Sequence, residues 1–156
     1  TPEGKTITEG AAIALFLLEK HAPQNLPSDP LEKAGFTKWL MFDYATLHPA
    51  YSKLFHALRG MNDGDEKIAY MQKLGDSVSG FYEILDTHLA ENTYLFGTTP
   101  TIADYLIPIY ASWGKNFPNV KITFGKNVER LMQEIRALPE FILAYEKEGI
   151  DYKMAA

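Results

Sequence analysis

Three places along this 156-residue chain combine residue types and spacing that could do chemistry. The first is Glu9-Gly10, at the start of a helical pattern. An acid there interacts well with the helix dipole, which is its plain role. Its sharper role is to hold a ligand ammonium beside free backbone amides that bind a carboxylate. Gly10 would let such a ligand approach the backbone closely. The second place is His48, directly before Pro49. Proline inside a helical run leaves carbonyls around residue 45 without partners, and distorted helix often marks a site. A surface or core histidine is the plain alternative. The third is the aromatic set Tyr44, Tyr51, Tyr110 and Trp113, on two predicted helices, which either packs a core or lines a cleft.

Other chemistry is scarce. Histidines 21, 48, 56 and 88 have no metal-ligand spacing, and no His-Glu-x-x-His occurs, so no metal is expected. Cysteine is absent, which removes disulfides and a thiolate nucleophile from these residues. The glycines are too dispersed to cradle a phosphate. A net charge of −5 argues against nucleic acid, since Lys121, Lys126 and Arg130 are diluted by Glu129 and Glu134. The longest apolar run, Ala11 to Leu18, is too short to span a bilayer, and no signal-peptide pattern opens the chain. No membrane partner and a cytoplasmic location are expected. With 46% apolar and 22% charged residues, a folded domain is the default.

The elements that must position these residues read as helices. Thr8 is expected to cap the first, with Ile13, Phe16 and Leu17 on its apolar stripe. Residues 22–27, rich in proline and amide side chains, form the main boundary. Ser28 or Asp29 caps a second run, started by Pro30, that extends to about Arg59 with a kink at Pro49. A third helix spans about Asp65 to Glu91, with Ile68, Met71, Val78, Tyr82, Leu85 and Leu89 in line. Gly75 in that line permits close helix approach. Gly80 needs a packing reason or a bend. Thr101-Ile102-Ala103-Asp104 forms a capping box, which accounts for Asp104 without catalysis. Leu106, Ile109 and Trp113 line the helix it starts. Two shorter helices follow, at Asn127 to Ala137 and from Pro139 to Gly149. The fold class is therefore all-α, a bundle of about six helices.

Three of these segments together resemble the glutathione transferase family, and bacterial beta-class members in particular. Ile7-Thr8-Glu9-Gly10-Ala11-Ala12-Ile13 is similar to the segment opening the last helix of its thioredoxin-like N-domain. Thr101 to Asp104, preceded by Gly97 and Pro100, resembles the family's capping box. Trp39-Leu40 through Leu47-His48 to Leu54-Phe55 resembles the first helix of its C-terminal domain. The resemblance divides the chain into a remnant of a truncated thioredoxin-like domain (1–22, with a strand end near Thr6), a linker (23–30), and the C-terminal helical domain (31–156). Because the chain opens on Thr1 rather than methionine, it is expected to be cut from something longer.

The resemblance also implies roles. Glu9 matches the acid that holds the γ-glutamyl ammonium of glutathione. Gly10 stands where many members have a serine that binds the γ-glutamyl carboxylate. His48 matches a histidine near the glutathione sulfur, where it would assist the thiolate. Tyr44, Tyr51, Tyr110 and Trp113 would shape a pocket for a small apolar electrophile. Pro49 and Met41 depart from beta-class relatives, which often carry lysine and a polar residue there. The intact form would conjugate or reduce electrophiles with glutathione as co-substrate, as a homodimer. The thiol-activating residue would lie outside this chain, which alone would be inactive. An interaction or assembly module without catalysis is the alternative, and a helical bundle binding some other small molecule is a third.

Overall fold

Proline and aspartate decide where the helices begin. The computed structural model describes residues 1–149, and the end of the 31–156 domain lies outside them. Asp29 accepts the amide N–H groups of Leu31 and Glu32 at 2.9 and 3.0 Å, so Asp29 rather than Ser28 caps the second helix. Such a cap contributes about 1 kcal/mol. Pro30 follows at the first helical position, where its missing N–H costs nothing. The described residues form α1 (Gly10–His21), α2 (Pro30–Phe42), α3 (His48–Gly60), α4 (Asp65–Leu89), α5 (Ile102–Ser112), α6 (Lys126–Arg136) and α7 (Pro139–Glu148). They contain no β-strand, so the strand end expected near Thr6 is not formed.

Between α2 and α3 the chain winds as a π-helix, Asp43–Leu47, in which the His48 amide donates to Asp43 O five residues back. Pro49 supplies the reason. It has no N–H to give and its ring crowds the carbonyl four residues earlier, so a wider turn lets the run continue. The distortion therefore lies one turn before the expected kink. Counted as one bent run, α2 to α3 restores the expected six helices.

The core is built where α2–α3, α4, α5 and α6 meet. Tyr51, Leu54, Val78, Tyr82, Leu85, Ile107, Leu131 and Met132 have no accessible surface there. Several expectations need correction. Ile68 is 49% exposed and lies off the buried line. What approaches Gly75 is the connection before α6, since an added Cβ would run into Val120. Gly80 has open space beside it, so the expected packing reason does not apply. Trp113 opens a short 3₁₀ turn after α5.

α1 differs from the rest. None of its residues is buried, and Ile13 and Leu17 are 39% and 48% exposed. Its cap is Glu9 and not Thr8. No helix among the described residues is long and apolar enough to cross a membrane.

Candidate functional site

Glu9 holds a backbone conformation that its type rarely adopts, with φ +70° and ψ 118°. A non-glycine residue there stores strain of about 1–3 kcal/mol. Its side chain makes no cap hydrogen bond, so the amides opening α1 meet no side-chain acceptor. An exposed carboxylate thus stands beside unfilled amide donors. Positive and negative groups of one small molecule can bind there together.

Gly10 has a different reason for being glycine than expected. A Cβ at this position would meet the Tyr44 ring, 2.9 Å from Cζ and 3.1 Å from the hydroxyl oxygen. The close approach belongs to Tyr44, and a serine at Gly10 would require that ring to turn away. Tyr44 thereby ties the start of α1 to the π-helix.

One turn after Tyr44, the ring of His48 packs edge-on against Tyr110 and Trp113, with centroids at 5.8 and 5.4 Å. Tyr110 and Trp113 lie 4.9 Å apart. The sequence-predicted residues thus meet in two groups, Gly10 with Tyr44 at the start of α1, and His48 with Tyr110 and Trp113 one turn further along the run. His48 and Trp113 open on a cavity of about 440 Å³, lined also by Ser52, Phe55, His56 and Arg59.

Tyr51 does not line a cleft. It has no accessible surface, and its hydroxyl pairs with that of Tyr82 at 3.2 Å, which makes it a core residue. Tyr110 is 3% exposed and offers a ligand little more than an edge. Burial first, then the neighbouring Asp43, pushes the Tyr44 and Tyr110 hydroxyls above the usual phenol range. Both stay protonated at neutral pH and act as donors rather than bases.

Sequence reasoning missed Asp43. Its carboxyl is fully buried in the π-helix, and neither oxygen has a hydrogen-bond partner. Desolvation, followed by the nearby Asp104, raises its pKa well above the ordinary value. The signal was available, since an aspartate inside a helical run, one turn after Trp39, has no cap to serve. Its burial was not, because it depends on how α4 and α5 close over the π-helix.

Thr101 and Asp104 form the capping box, closed chiefly from the aspartate. Its Oδ2 accepts the Thr101 N–H at 2.8 Å and the Thr101 hydroxyl at 2.9 Å, and Oδ1 accepts the Leu95 N–H at 2.8 Å. Among the described residues no three His, Asp or Glu side chains gather as metal ligands would.

Known proteins share this architecture. Ure2p5 of Phanerochaete chrysosporium, cocrystallized with 1-(S-glutathionyl)-2,4-dinitrobenzene, superposes with a TM-score of 0.79 at 18% identity, over 95% of this chain and 71% of that one. A bacterial beta-class glutathione S-transferase from Sphingomonas chungbukensis gives a TM-score of 0.76 at 22% identity, over 97% and 72%. No family model matches the chain. In sequence, glutathione S-transferase D7 of Drosophila melanogaster is 30% identical over 166 aligned positions, which span 93% of this chain and 71% of that relative. With that identity and that coverage, the chain belongs to the glutathione S-transferase family.

Proposed function

We propose that this chain supplies part of the glutathione site and most of the electrophile pocket of a glutathione-conjugating or glutathione-dependent reductive enzyme. The observation that carries this is the strained Glu9 at the uncapped start of α1, with Tyr44 against Gly10 and His48 one turn beyond Tyr44 in the chain. In this reading Glu9 takes the γ-glutamyl ammonium, and the amides of Gly10 and Ala11 take the γ-glutamyl carboxylate. With Tyr44 against Gly10, the backbone does what a serine hydroxyl does in other members.

The thiol then lies toward His48. A glutathione thiol is a weak nucleophile until its pKa is lowered. The His48 imidazole would stabilise the thiolate by donating a hydrogen bond to it. The group that activates the thiol comes from outside these residues, and residues 1–22 are the end of the thioredoxin-like unit that carries it. Trp113 and Phe55 offer aromatic faces to an electrophile, and the Tyr44 and Tyr110 hydroxyls offer donors. A beta-class-like homodimer in the cytoplasm fits this assignment, and the rest of the thioredoxin-like unit would cover the apolar residues that α1 leaves open.

Titration of the intact protein with glutathione tests the reading. Glu9→Gln is expected to weaken binding by about 1.5–3 kcal/mol, the range of a charge-assisted hydrogen bond. His48→Ala is expected to lower turnover with little change in glutathione affinity. Absence of both glutathione binding and thiol transfer in the intact protein would sink it. The second reading, an assembly module without catalysis, draws on Tyr44 occupying the space beside Gly10. It predicts a partner captured in sedimentation and no response to glutathione.

A further inference from the structure

The connection before α6 is held along α4 by side chains. The Gln72 carboxamide bridges the backbone of Lys121, donating to its carbonyl at 3.1 Å and accepting its N–H at 3.0 Å. The Thr123 N–H donates to the Ser79 hydroxyl at 3.0 Å. The Phe124 ring stands edge-on to that of Tyr82, with centroids 4.6 Å apart. Residues 121 and 123 thus turn their backbone toward α4, which is the alternation of an extended strand. Gly125 continues it with φ −82° and ψ 163°. On this edge Gln72 and Ser79 take the place of a neighbouring strand.

The other edge has no such neighbour. The backbone N–H and C=O groups of Ile122 and Phe124 have no hydrogen-bond partner among the described residues. Backbone groups shut away from water without partners are rare, so this edge faces solvent. An extended run with one open edge is a template for another strand. Beside it, Asp76, Glu83 and Asp86 line a groove of about 600 Å³. Lys121 lines the same groove and joins none of the ion pairs of the described residues. Gly80 lies on the groove with open space where a Cβ would be, which leaves room for a side chain from outside.

We infer that a second copy of this chain adds its own residues 121–125 to this open edge, antiparallel, about a two-fold axis at Thr123. In that register Ile122 and the second copy's Phe124 exchange both backbone hydrogen bonds, and Phe124 does the same with the second copy's Ile122. Thr123 faces its own copy, a favoured cross-strand pair. Lys121 faces the second copy's Gly125, and Gly125 lies against the Asp86 carboxylate. Each Lys121 therefore enters the acidic groove of the other copy. The complementarity is reciprocal, as a two-fold contact requires. The contact is small, so the association is weak. It uses none of the residues of the glutathione reading, and its failure would leave that reading standing.

The chain holds no cysteine, so a single introduced thiol reports on a single position. Thr123→Cys and Lys126→Cys, both at exposed positions, are oxidised separately in the 156-residue chain without glutathione, and the linked dimer is followed on non-reducing gels. Facing residues of a non-hydrogen-bonded pair have Cα atoms about 4.5 Å apart, within the span of a disulfide. Only position 123 faces itself across the axis, so Thr123→Cys is expected to link about tenfold faster than Lys126→Cys. Adding Lys121→Glu reverses a charge at the groove and keeps the backbone bonds to Gln72. It should slow linking in Thr123→Cys by about fivefold and leave Lys126→Cys unchanged. Equal rates at the two positions, or a Thr123→Cys rate indifferent to Lys121→Glu, would overturn the inference.

Discussion

Two buried carboxyls sit close enough to repel each other, one at the start of α5 and one in the π-helix. Both have no accessible surface. Asp104 receives donors from Leu95 and Thr101 on both oxygens, whereas Asp43 receives none. Burial raises both pKa values, but the hydrogen bonds pull Asp104 back while nothing pulls Asp43 back. The same residue type in the same core is therefore a structural tie in one place and a stored cost in the other. A buried polar group is worth what its partners make it worth. The costly one lies in the wide turn that carries Tyr44 and leads to His48, in keeping with the tendency of strain to gather at functional sites.

The largest effect should come from cutting the tie. Asp104→Ala strands the Leu95 and Thr101 donors and is expected to destabilise the chain by about 2–4 kcal/mol, read from the urea midpoint. A loss no larger than that of an ordinary surface change would break the contrast.

Asp43 should behave oppositely. With its folded pKa raised, ionisation favours the unfolded chain, because the unfolded carboxyl gives up its proton first. Stability should fall as pH rises above the ordinary carboxyl value of 3.8 and level off above the raised folded value. Asp43→Asn should match the parent at low pH and gain on it through that window, by about 1.4 kcal/mol for every pH unit that the window spans. Melting temperatures across pH would show it. A parallel pair of pH curves would mean that Asp43 is partnered after all.

The smallest effect sharpens the boundary of the costly region. Tyr51, in α3 just beyond the π-helix, shares its hydroxyl with Tyr82. Tyr51→Phe should cost about 1 kcal/mol, as for one net hydrogen bond. No effect on glutathione binding is expected, since Tyr51 lies in the core. A selective loss of ligand binding would return it to the cleft.

Local chemistry was legible in the sequence. Asp29-Pro30, Thr101 to Asp104, Pro139 and Gly149 announce helix ends because caps act within a few residues of themselves. The buried line of α4 was readable from its spacing, apart from Ile68 at its exposed start. Pro49 foretold a distortion because its missing N–H is a property of one residue, although the neighbouring turns decided where the distortion settled. His48 with Tyr110 and Trp113 could be nominated by type, but their meeting depends on α3 packing beside the end of α5.

What acts across long stretches of chain was decided only by tertiary structure. The start of α6 is capped by Asp86 of α4, whose Oδ1 accepts the Asn127 and Val128 amides at 2.7 and 3.0 Å, and Gly125 is glycine because any Cβ would strike that carboxylate. Gly10 is glycine for Tyr44, and Trp113 arrives from the end of α5 to line one cavity with the side chains of α3. Side-chain periodicity records which face of a helix is apolar. It carries no information about which distant group arrives there, and that arrival determines whether a carboxyl is a cap, a strain or a binding site.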